Sequence, residues 1–252
     1  MAMIAAYDEG NFELNESYRE IRTYLSINKN IKSILITSAE MDEGKTTVVC
    51  NLAKCFAELD GAKILLIDCD FRKRGVSRYF GIENTFGISD IVFGYKKKSE
   101  CVKKVGDLDI ITSGGVPSNT SILLNSQSMK DTILKLREEY DYVFIDSPPV
   151  CRLNDACIIT QFVDGTVLVN ASKVIDAKIA NITLEKLNKV GANLIGIILN
   201  KFKAEKYSYY SSYYGYSGYY DDKPKHRLFR RKKHRKKQKK IRNSIIFVEI
   251  YI

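Results

Sequence analysis

The sequence has 252 residues, of which 45% are hydrophobic and 28% charged, and its formal net charge is +10. This length and composition predict one α/β domain of roughly 200 residues with a buried core. They argue against a membrane-spanning protein, since no apolar run reaches the roughly 18 residues that a spanning helix needs. The acidic N-terminus lacks a signal-peptide pattern, and six cysteines without a CxxC pair predict reduced thiols and no zinc site, so we expect a cytoplasmic protein.

The positive charge lies in one C-terminal segment. Residues 223–252 contain 13 Lys and Arg but one acid, Glu249, so this segment carries +12 and the rest of the chain, from a total of +10, carries −2. A basic block of this kind is typical of a disordered tail that contacts other molecules. We therefore predict a disordered tail over residues 221–252 that binds anionic lipid head groups or, weakly, nucleic acid. The body itself is not predicted to bind nucleic acid.

Apolar periodicity along the chain predicts alternating helices and strands. The predicted helices cover residues 14–25, 46–59, 87–93, 128–140, 155–163 and 176–191. The predicted strands cover residues 32–38, 62–68, 108–114, 141–147, 164–170 and 193–201. Because the strands are continuously apolar and alternate with helices, we predict a mostly parallel sheet with helices on both faces, a three-layer α/β/α fold. Ligands of such folds bind at the carboxyl ends of the strands.

A phosphate-binding loop follows the first predicted strand. The sequence AEMDEGKTT fits the P-loop pattern, except that alanine stands where the first glycine is usual. Backbone N–H groups of such a loop bind phosphate oxygens at the start of the next helix. The lysine adds a positive charge, and the threonine offers a hydroxyl to Mg²⁺. We therefore predict that a nucleotide and Mg²⁺ bind here, with nucleotide contacts from Ala39, Glu40, Met41, Asp42, Glu43, Gly44, Lys45, Thr46 and Thr47.

Three aspartates end predicted strands. Asp68 and Asp70 lie two residues apart at the end of the second strand, where both point to the same side of an extended chain. Asp146 ends the apolar segment VFID. A carboxylate at a strand end that faces a phosphate-binding loop is a Mg²⁺ ligand, directly or through water. One such aspartate could be a helix cap, but three in a chain with this loop favour a metal-assisted site.

Together these motifs resemble those of the bacterial tyrosine kinases that regulate capsular and exopolysaccharide synthesis. The matching segments are the loop AEMDEGKT, the second Walker-type motif LLIDCDFR, the Walker B segment VFIDSPP, the motif E-x-x-R-x-x-R at residues 16–22 and the tyrosine-rich segment YSYYSSYYGYSGYY. The resemblance covers about residues 8–220 and implies a P-loop NTPase fold. It divides the chain into a kinase domain at 1–206, a tyrosine cluster at 207–220 and the tail at 221–252.

The resemblance also implies roles for the site residues. Lys45 would bind the outer phosphates of ATP, and Thr46 would ligate Mg²⁺. Asp146 would hold the same metal through water, and Asp70 would help to position it. Asp68 would be the catalytic base, which accepts the proton of a tyrosine hydroxyl whose pKa in water is about 10.

Two further residues complete the implied site. Arg72 would stabilise phosphate charge during transfer. Asn200 ends the last predicted strand, at the position that contacts adenine in related ATPases, although an asparagine there is also a common turn residue.

The tyrosine cluster holds eight of the 16 tyrosines and no aliphatic side chain, which makes it unsuited to a core element. The resemblance implies autophosphorylation in trans at Tyr207, Tyr209, Tyr210, Tyr213, Tyr214, Tyr216, Tyr219 and Tyr220. Each phosphate adds about −1.5 to −2 charges, so phosphorylation would act as a charge switch on assembly. Without a substrate role, a tract of this composition would be an adhesive or aggregation-prone segment.

The resemblance implies several partners. The helix over residues 14–25 would contact a neighbouring subunit in a homo-oligomeric ring through Glu16, Arg19 and Arg22. These three residues lie near one helix face. Without the resemblance, the segment is an ordinary charged helix. A separate transmembrane activator and chain-length regulator would recruit the kinase to the inner face of the plasma membrane, and a cognate phosphotyrosine phosphatase would reverse the modification. Contact of the basic tail with the membrane surface fits this setting better than contact with nucleic acid.

An alternative is a nucleotide-switched assembly scaffold with little kinase activity, related to cell-division and chromosome-partition ATPases. Those ATPases carry a second lysine near the start of the loop, where this chain has Glu40, and they give the tyrosine cluster no role. One segment also departs from the kinases. Within residues 114–124, Ser118, Thr120 and Ile122 replace two prolines and an acidic residue, which predicts a looser loop and lower activity.

Overall fold

The computed structural model describes residues 12–172, 177–202 and 245–249. Its helices are α1 (Phe12–Leu25), α2 (Lys45–Ala57), α3 (Gly75–Phe80), α4 (Ile88–Val92), α5 (Lys98–Cys101), α6 (Thr120–Leu124), α7 (Gln127–Glu139), α8 (Asp155–Ile159, continued by a 3₁₀ turn at Thr160–Phe162) and α9 (Ala177–Lys189). Its strands are β1 (Ser33–Ser38), β2 (Ile64–Asp68), β3 (Val102–Val105), β4 (Leu108–Ile111), β5 (Tyr142–Asp146), β6 (Gly165–Ala171), β7 (Leu194–Phe202) and β8 (Ile245–Glu249).

The strands form one sheet in the order β3-β4-β2-β5-β1-β6-β7-β8. The inner strands are parallel to one another, whereas the edge strands β3 and β8 run antiparallel to β4 and β7. The prediction of a mostly parallel sheet is confirmed. The edge strand β3 was not predicted because its sequence, VKKV, has no buried residue and therefore lacks the apolar continuity of the inner strands.

Helices cover both faces of the sheet because alternate strand residues are buried on opposite sides. Ile34 and Ile36 pack in one core with residues of α1 and α2. Leu35, between them, packs in a second core with residues of α7 and α8. The predicted three-layer fold is thereby confirmed.

All of the predicted helices and strands occur, with ends that differ by a few residues. The helices α3, α5 and α6 were not predicted: like α4, which was, they have only four to six residues, a length over which helical periodicity gives a weak signal. The six cysteines are free thiols, and five of them are buried. Within the described ranges, none of the helices combines the length and apolarity needed to cross a membrane.

The prediction of a disordered tail over residues 221–252 needs one correction. Residues Ile245–Glu249 form β8, which pairs with the outer edge of β7. The sequence IIFVE is apolar and largely β-branched or aromatic, and such residues favour pairing with a free sheet edge over the solvated state expected of the basic residues before them. The rest of this predicted tail, and the predicted tyrosine cluster at 207–220, lie outside the described residues.

Phe56 anchors α2 to the sheet. Its side chain is fully buried, and its ring centroid lies 4.7 Å from that of Tyr142 and 5.0 Å from that of Phe144. Phe56→Ala should lower the free energy of unfolding by about 3–5 kcal/mol, because it leaves a cavity between helix and sheet. Urea unfolding measures this change. Phe93→Ala is the control, since Phe93 is exposed, and it should change the free energy of unfolding by less than about 0.5 kcal/mol. Equal losses in both variants would contradict the prediction.

Candidate phosphoryl-transfer site

The site lies at the carboxyl ends of three adjacent strands, β2, β5 and β1. β1 leads through residues 39–44 into α2, β2 ends in Asp68, and β5 ends in Asp146. Asp68 and Asp146 stand opposite each other in the register of the β2–β5 pair. The topology therefore brings the loop and the strand-end aspartates together at one end of the sheet.

Glu43 holds the loop from its inner side. Its Oε2 accepts a hydrogen bond from the backbone N–H of Glu40 at 2.8 Å, and its Oε1 accepts one from the backbone N–H of Ala171 at 3.3 Å. The side chain is buried, and this burial raises the pKa of the Glu43 carboxyl. Glu43 therefore ties the loop to the end of β6.

Several cations tie the outer side of the loop. Arg152 Nε lies 2.7 Å from Glu40 Oε2, and Lys73 Nζ lies 2.8 Å from Asp42 Oδ1, where its hydrogen bond lowers the pKa of the Asp42 carboxyl. Lys201 Nζ donates to the backbone carbonyl of Asp42. Neither Arg152 nor Lys73 was predicted to lie at the site, although Lys73 directly follows the predicted Arg72, and Lys201 directly follows the predicted Asn200. Arg152 and Lys73 offset the charges of Glu40 and Asp42, which would otherwise repel a polyanionic nucleotide.

Gly44 occupies a position that requires glycine. Its φ is 94°, in the left-handed region, and a Cβ built there would lie 2.1 Å from Asn200 Nδ2. Asn200 Nδ2 donates to the Glu43 carbonyl at 2.9 Å, and Asn200 Oδ1 accepts from the backbone N–H of Lys201 at 2.8 Å. The structure thus uses the Asn200 amide to support the loop, and its contact with adenine stays a prediction.

Gly44→Ala should weaken ATP binding by about tenfold or more. The left-handed backbone costs about 1–2 kcal/mol with a Cβ, and the clash with Asn200 must in addition displace the loop. Isothermal titration calorimetry with ATP measures the effect. Gly61→Ala is the matched control, since Gly61 has φ 70° but nothing within 4 Å of its Cβ position. Equal affinities in the two variants would show that the close approach to Asn200 is unimportant.

Lys45, the first residue of α2, reaches into a group of buried carboxylates. Its Nζ lies 3.2 Å from Asp70 Oδ2, 3.2 Å from Thr46 Oγ1 and 3.7 Å from Asp146 Oδ1, and the residue is only 6% exposed. Burial acts to lower the pKa of the Lys45 ammonium, but the negative charges of Asp146 and Asp70 outweigh burial and raise it. Lys45 is therefore a cation held at the site across the physiological pH range.

The residues predicted to hold Mg²⁺ have the right chemistry for it. Thr46 Oγ1 donates to Asp146 Oδ2 at 2.7 Å, while Asp146 Oδ1 is buried and has no hydrogen-bond partner. An orphaned carboxylate oxygen beside a hydroxyl is a hard oxygen donor set of the kind that Mg²⁺ takes together with water and phosphate oxygens. Among the residues that the structure describes, no group of three or more His, Cys, Asp or Glu side chains could hold a metal alone. Asp146 Oδ1 and Thr46 Oγ1 fit a metal that takes its other ligands from water and phosphate oxygens.

Asp68, the predicted base, is shielded from solvent by the backbone around it. Its Oδ1 accepts from the backbone N–H of Asp70 at 2.9 Å, and its Oδ2 accepts from the backbone N–H of Val76 at 3.1 Å. The residue is fully buried, and burial, followed by the charge of Asp146, raises the pKa of the Asp68 carboxyl well above its usual range. A raised pKa suits a group that must accept a proton. However, a tyrosine hydroxyl reaches Asp68 only after the residues that cover it move.

Arg72 lies apart from this group. Its Nη2 donates to Thr120 Oγ1 at 3.0 Å and lies 3.9 Å from Asp155 Oδ2. Thr120 belongs to the segment 114–124, which was predicted to be a looser loop. Residues 114–119 of this segment lie outside any helix or strand, but its last five residues form α6, whose N-cap Asn119 accepts from the backbone N–H of Ile122 at 3.1 Å. Thr120 and Ile122 thus lie in a capped helix that Arg72 contacts, Ser118 precedes that helix, and the lower activity stays a prediction.

The predicted oligomerisation residues on α1 differ in their surroundings. Glu16 and Arg19 form an exposed pair within the helix at 2.6 Å. Arg22 instead donates to the Cys55 carbonyl and lies 3.4 Å from Glu58 Oε2, both at the end of α2 in the same chain. Of the three, Glu16 and Arg19 are thus the residues that face solvent.

A P-loop before a helix, a lysine among strand-end carboxylates and a parallel three-layer sheet define a P-loop phosphoryl-transfer protein. The family model described as an AAA domain matches residues 31–195. The tyrosine-protein kinase YwqD of Bacillus subtilis is 38% identical over 206 residues, which cover 80% of this chain and 86% of that protein. The putative tyrosine-protein kinase CapB of Staphylococcus aureus is 32% identical, over 83% of this chain and 93% of that protein. The chain therefore belongs to the bacterial tyrosine-protein kinases.

Solved structures of tyrosine kinase domains resemble this chain in both fold and sequence. The kinase domain of the Escherichia coli tyrosine kinase ETK matches with a TM-score of 0.69 and 30% identity, over 72% of this chain and 73% of that one. The VpsO kinase domain matches with a TM-score of 0.71 and 32% identity, over 79% of this chain and all of that one. A ParA family ATPase from Chlorobium tepidum, at 18% identity and a TM-score of 0.58, shares the fold.

Proposed function

We propose that this tyrosine kinase transfers the γ-phosphoryl group of ATP to the tyrosine cluster at 207–220 of a neighbouring copy. The observation that carries the proposal is the group formed by Lys45, Thr46, Asp70 and Asp146, in which Asp146 Oδ1 is buried without a hydrogen bond, 3.7 Å from Lys45 Nζ. The loop N–H groups would bind the phosphates, and Lys45 would shift from Asp70 to the β- and γ-phosphates. Mg²⁺, held by Thr46 and Asp146 with Asp70 nearby, would neutralise the charge that develops on the phosphate oxygens.

The transfer itself makes one bond and breaks one. The tyrosine oxygen attacks the γ-phosphorus, the bond from that phosphorus to the bridging oxygen breaks, and ADP leaves with the bond electrons. The phenolic proton would pass to Asp68 once the backbone at Asp70 and Val76, whose N–H groups bind both Asp68 oxygens, has moved. Arg72, which lies on the neighbouring surface beside α6, would contact phosphate charge on the incoming tyrosine segment.

A mixing experiment tests transfer between copies. An active chain with its eight cluster tyrosines replaced by phenylalanine is incubated with MgATP and a Lys45→Met chain that keeps them. Phosphotyrosine on the Lys45→Met chain, mapped by mass spectrometry to residues 207–220, is the expected result. Asp68→Asn in the active chain should abolish the signal, because it removes the proton acceptor. ATP binding without phosphotyrosine in any mixture would overturn the proposal.

That negative result would favour the alternative of a nucleotide-switched scaffold. One observation supports the alternative: Asp68 is fully buried and both of its carboxylate oxygens already accept backbone N–H groups. A scaffold needs Lys45 and Thr46 for ATP but has no need of an accessible base. Under this alternative, ATP-dependent assembly would survive Asp68→Asn.

We further propose that α1 forms the contact between subunits of a ring. The exposed pair of Glu16 and Arg19 carries this contact, while Arg22 holds α1 on its own domain. Arg19→Glu should shift the chain from oligomer to monomer in sedimentation velocity, because it places two like charges at one contact. Lys29→Glu, an equal charge change in the turn that follows α1, is the control. An unchanged oligomer in Arg19→Glu would contradict this role.

The family setting supplies the wider proposal. A separate transmembrane activator would bring the kinase to the inner face of the plasma membrane, with help from the basic residues of the tail, and a phosphotyrosine phosphatase would reset it. Phosphorylation would then control the synthesis and export of capsular or extracellular polysaccharide. Loss of polysaccharide in a cell that carries Lys45→Met would support this role, and normal polysaccharide would contradict it.

A further inference from the structure

The short helix α3 lies directly against the site. The backbone N–H of Val76, in its first turn, donates to Asp68 Oδ2 at 3.1 Å. A Cβ built on Gly75 would lie 2.7 Å from Thr46 Cγ2 and 3.0 Å from Thr46 Oγ1, so the start of α3 is in close contact with the predicted metal ligand. Any shift of α3 therefore changes the surroundings of both Asp68 and Thr46.

A buried chain of hydrogen bonds connects α3 to α1. Tyr79, on α3, donates from its hydroxyl to Asn51 Oδ1. Asn51, on α2, donates from Nδ2 to the hydroxyl of Tyr18 at 3.1 Å. Asn51 is fully buried and Tyr18 is 2% exposed. One amide on α2 therefore joins the hydroxyls of two tyrosines that belong to α1 and α3.

The position of Tyr18 connects these hydrogen bonds to the helix that is proposed to contact a neighbouring subunit. It lies within the segment from Glu16 to Arg22, but on the buried face of α1 with Leu14 and Ile21. The exposed pair of Glu16 and Arg19 lies on the other side of the helix. A partner that binds the exposed face of α1 can shift the helix on its own domain, and such a shift would move Tyr18 on the buried face.

We propose that Tyr18, Asn51 and Tyr79 form a positioning link, through which the seating of α1 on the domain fixes α3 and thereby orients Asp68 and Thr46 for phosphoryl transfer. In this proposal the three residues act through α3 and not by contact with ATP or with the tyrosine that is phosphorylated. Buried hydrogen-bond networks of this kind fix one arrangement of the elements they join, since their groups have no solvent to replace a lost partner. The link rests on the proposed role of Asp68 in the reaction.

The test uses variants that remove one hydroxyl and keep the ring. Tyr79→Phe preserves the packing of this ring against Phe80, whose centroid lies 4.9 Å away, and Tyr18→Phe preserves the buried ring of α1. Tyr140→Phe is the matched control, because it removes a hydroxyl that donates to Asp109 Oδ2 at 2.8 Å, at the opposite end of the strands. We expect kcat for phosphotyrosine formation to fall about tenfold in the first two variants, with ATP affinity within twofold of the parent. Tyr140→Phe should leave kcat within twofold.

Two further measurements show whether kcat falls because the hydrogen-bonded link is broken or because the fold is less stable. The effects of Tyr18→Phe and Tyr79→Phe on the activation free energy, calculated from kcat, should be less than additive in the double variant, because each substitution breaks the same series of hydrogen bonds. Hydrogen exchange at the Val76 amide should become faster in both single variants but not in Tyr140→Phe. This exchange does not depend on catalysis, so it tests the link even if the chain forms no phosphotyrosine and the proposed function fails. Unchanged exchange at Val76, or a kcat in Tyr79→Phe equal to that of Tyr140→Phe, would overturn the proposal.

Discussion

Replacement of Lys45 by methionine is expected to lower the rate of phosphotyrosine formation by about a hundred- to a thousandfold. Methionine keeps the length and apolar stem of the side chain but removes the cation that would neutralise charge on the transferred phosphoryl group. The rate is measured at saturating MgATP, so that weaker nucleotide binding does not contribute. Lys54→Met, a half-buried lysine in the last turn of the same helix, is the control and should keep the parent rate within twofold. A comparable loss in both variants would exclude a specific role for Lys45.

The same change should also destabilise the fold. Lys45 is the counter-ion of two buried carboxylates, Asp70 at 3.2 Å and Asp146 at 3.7 Å. Removal of one partner leaves the other charges buried without compensation, which typically costs about 3–5 kcal/mol. Urea unfolding at neutral pH measures this loss, and the rate comparison is then made at a temperature where both variants are folded.

The raised pKa of Lys45 sets the direction of the pH dependence. The folded state holds this proton more tightly than the unfolded chain does, so the ion pair contributes fully at neutral pH. Its contribution is lost as the pH rises through the folded-state pKa, above the usual lysine value of about 10.4. The difference in stability between the parent and Lys45→Met should therefore shrink in strongly alkaline buffer. A difference that stays constant there would show that packing, rather than charge, explains the loss.

The parts of the site that sequence could predict are those fixed by the backbone. Asp68 and Asp146 end two adjacent strands, and Lys45 and Thr46 begin the helix that follows the loop after a third, β1. Parallel strands bring their carboxyl ends together whatever the side chains do. A continuous apolar run followed by an acid or a loop was therefore enough to place them. The structure brings these residues into one group.

The directions of individual side chains could not be predicted in this way. Arg72 follows the second aspartate by two residues, yet its guanidinium turns to Thr120 and Asp155, because the buried Asp155 carboxylate of α8 attracts it. Asn200 likewise turns to the loop backbone. Both outcomes depend on partners more than 40 residues away in sequence, and periodicity carries no information about such contacts.

Short elements were missed for a related reason. The helix α3 has six residues and a sequence, GVSRYF, without an apolar repeat that extends over a second turn. Its formation depends on tertiary contacts, namely the acceptance of the Val76 N–H by Asp68 and of the Tyr79 hydroxyl proton by Asn51. Helices this short are marginal by propensity alone. The sequence therefore located Asp68 but not the element that covers it.

Replacement of Asp146 by asparagine should weaken the apparent affinity for Mg²⁺ by at least about tenfold and lower kcat by about a hundredfold at saturating ATP. Asparagine retains an oxygen that can accept from Thr46, but it removes the negative charge and the orphaned oxygen that the metal would use. A titration of phosphotyrosine formation with MgCl₂ measures both effects. Asp109→Asn is the matched control, since Asp109 is a half-buried carboxylate at the opposite end of the strands. Its Mg²⁺ dependence should equal that of the parent, and an equal Mg²⁺ dependence in Asp146→Asn would remove Asp146 from the metal site.

The stability of Asp146→Asn relative to the parent should increase as the pH rises. Burial raises the pKa of the Asp146 carboxyl, although Lys45 opposes this shift, so the folded state holds the carboxyl proton more tightly than the unfolded chain does. The parent therefore loses stability as the pH rises from the usual aspartate value of about 3.9 through the folded-state pKa. Asparagine does not titrate, so the stability of the variant relative to the parent should increase over this interval. Urea unfolding at pH 4 and pH 7.5 tests the sign, and a relative stability that falls with rising pH would mean that the ionised carboxylate, paired with Lys45, is the form that the fold prefers.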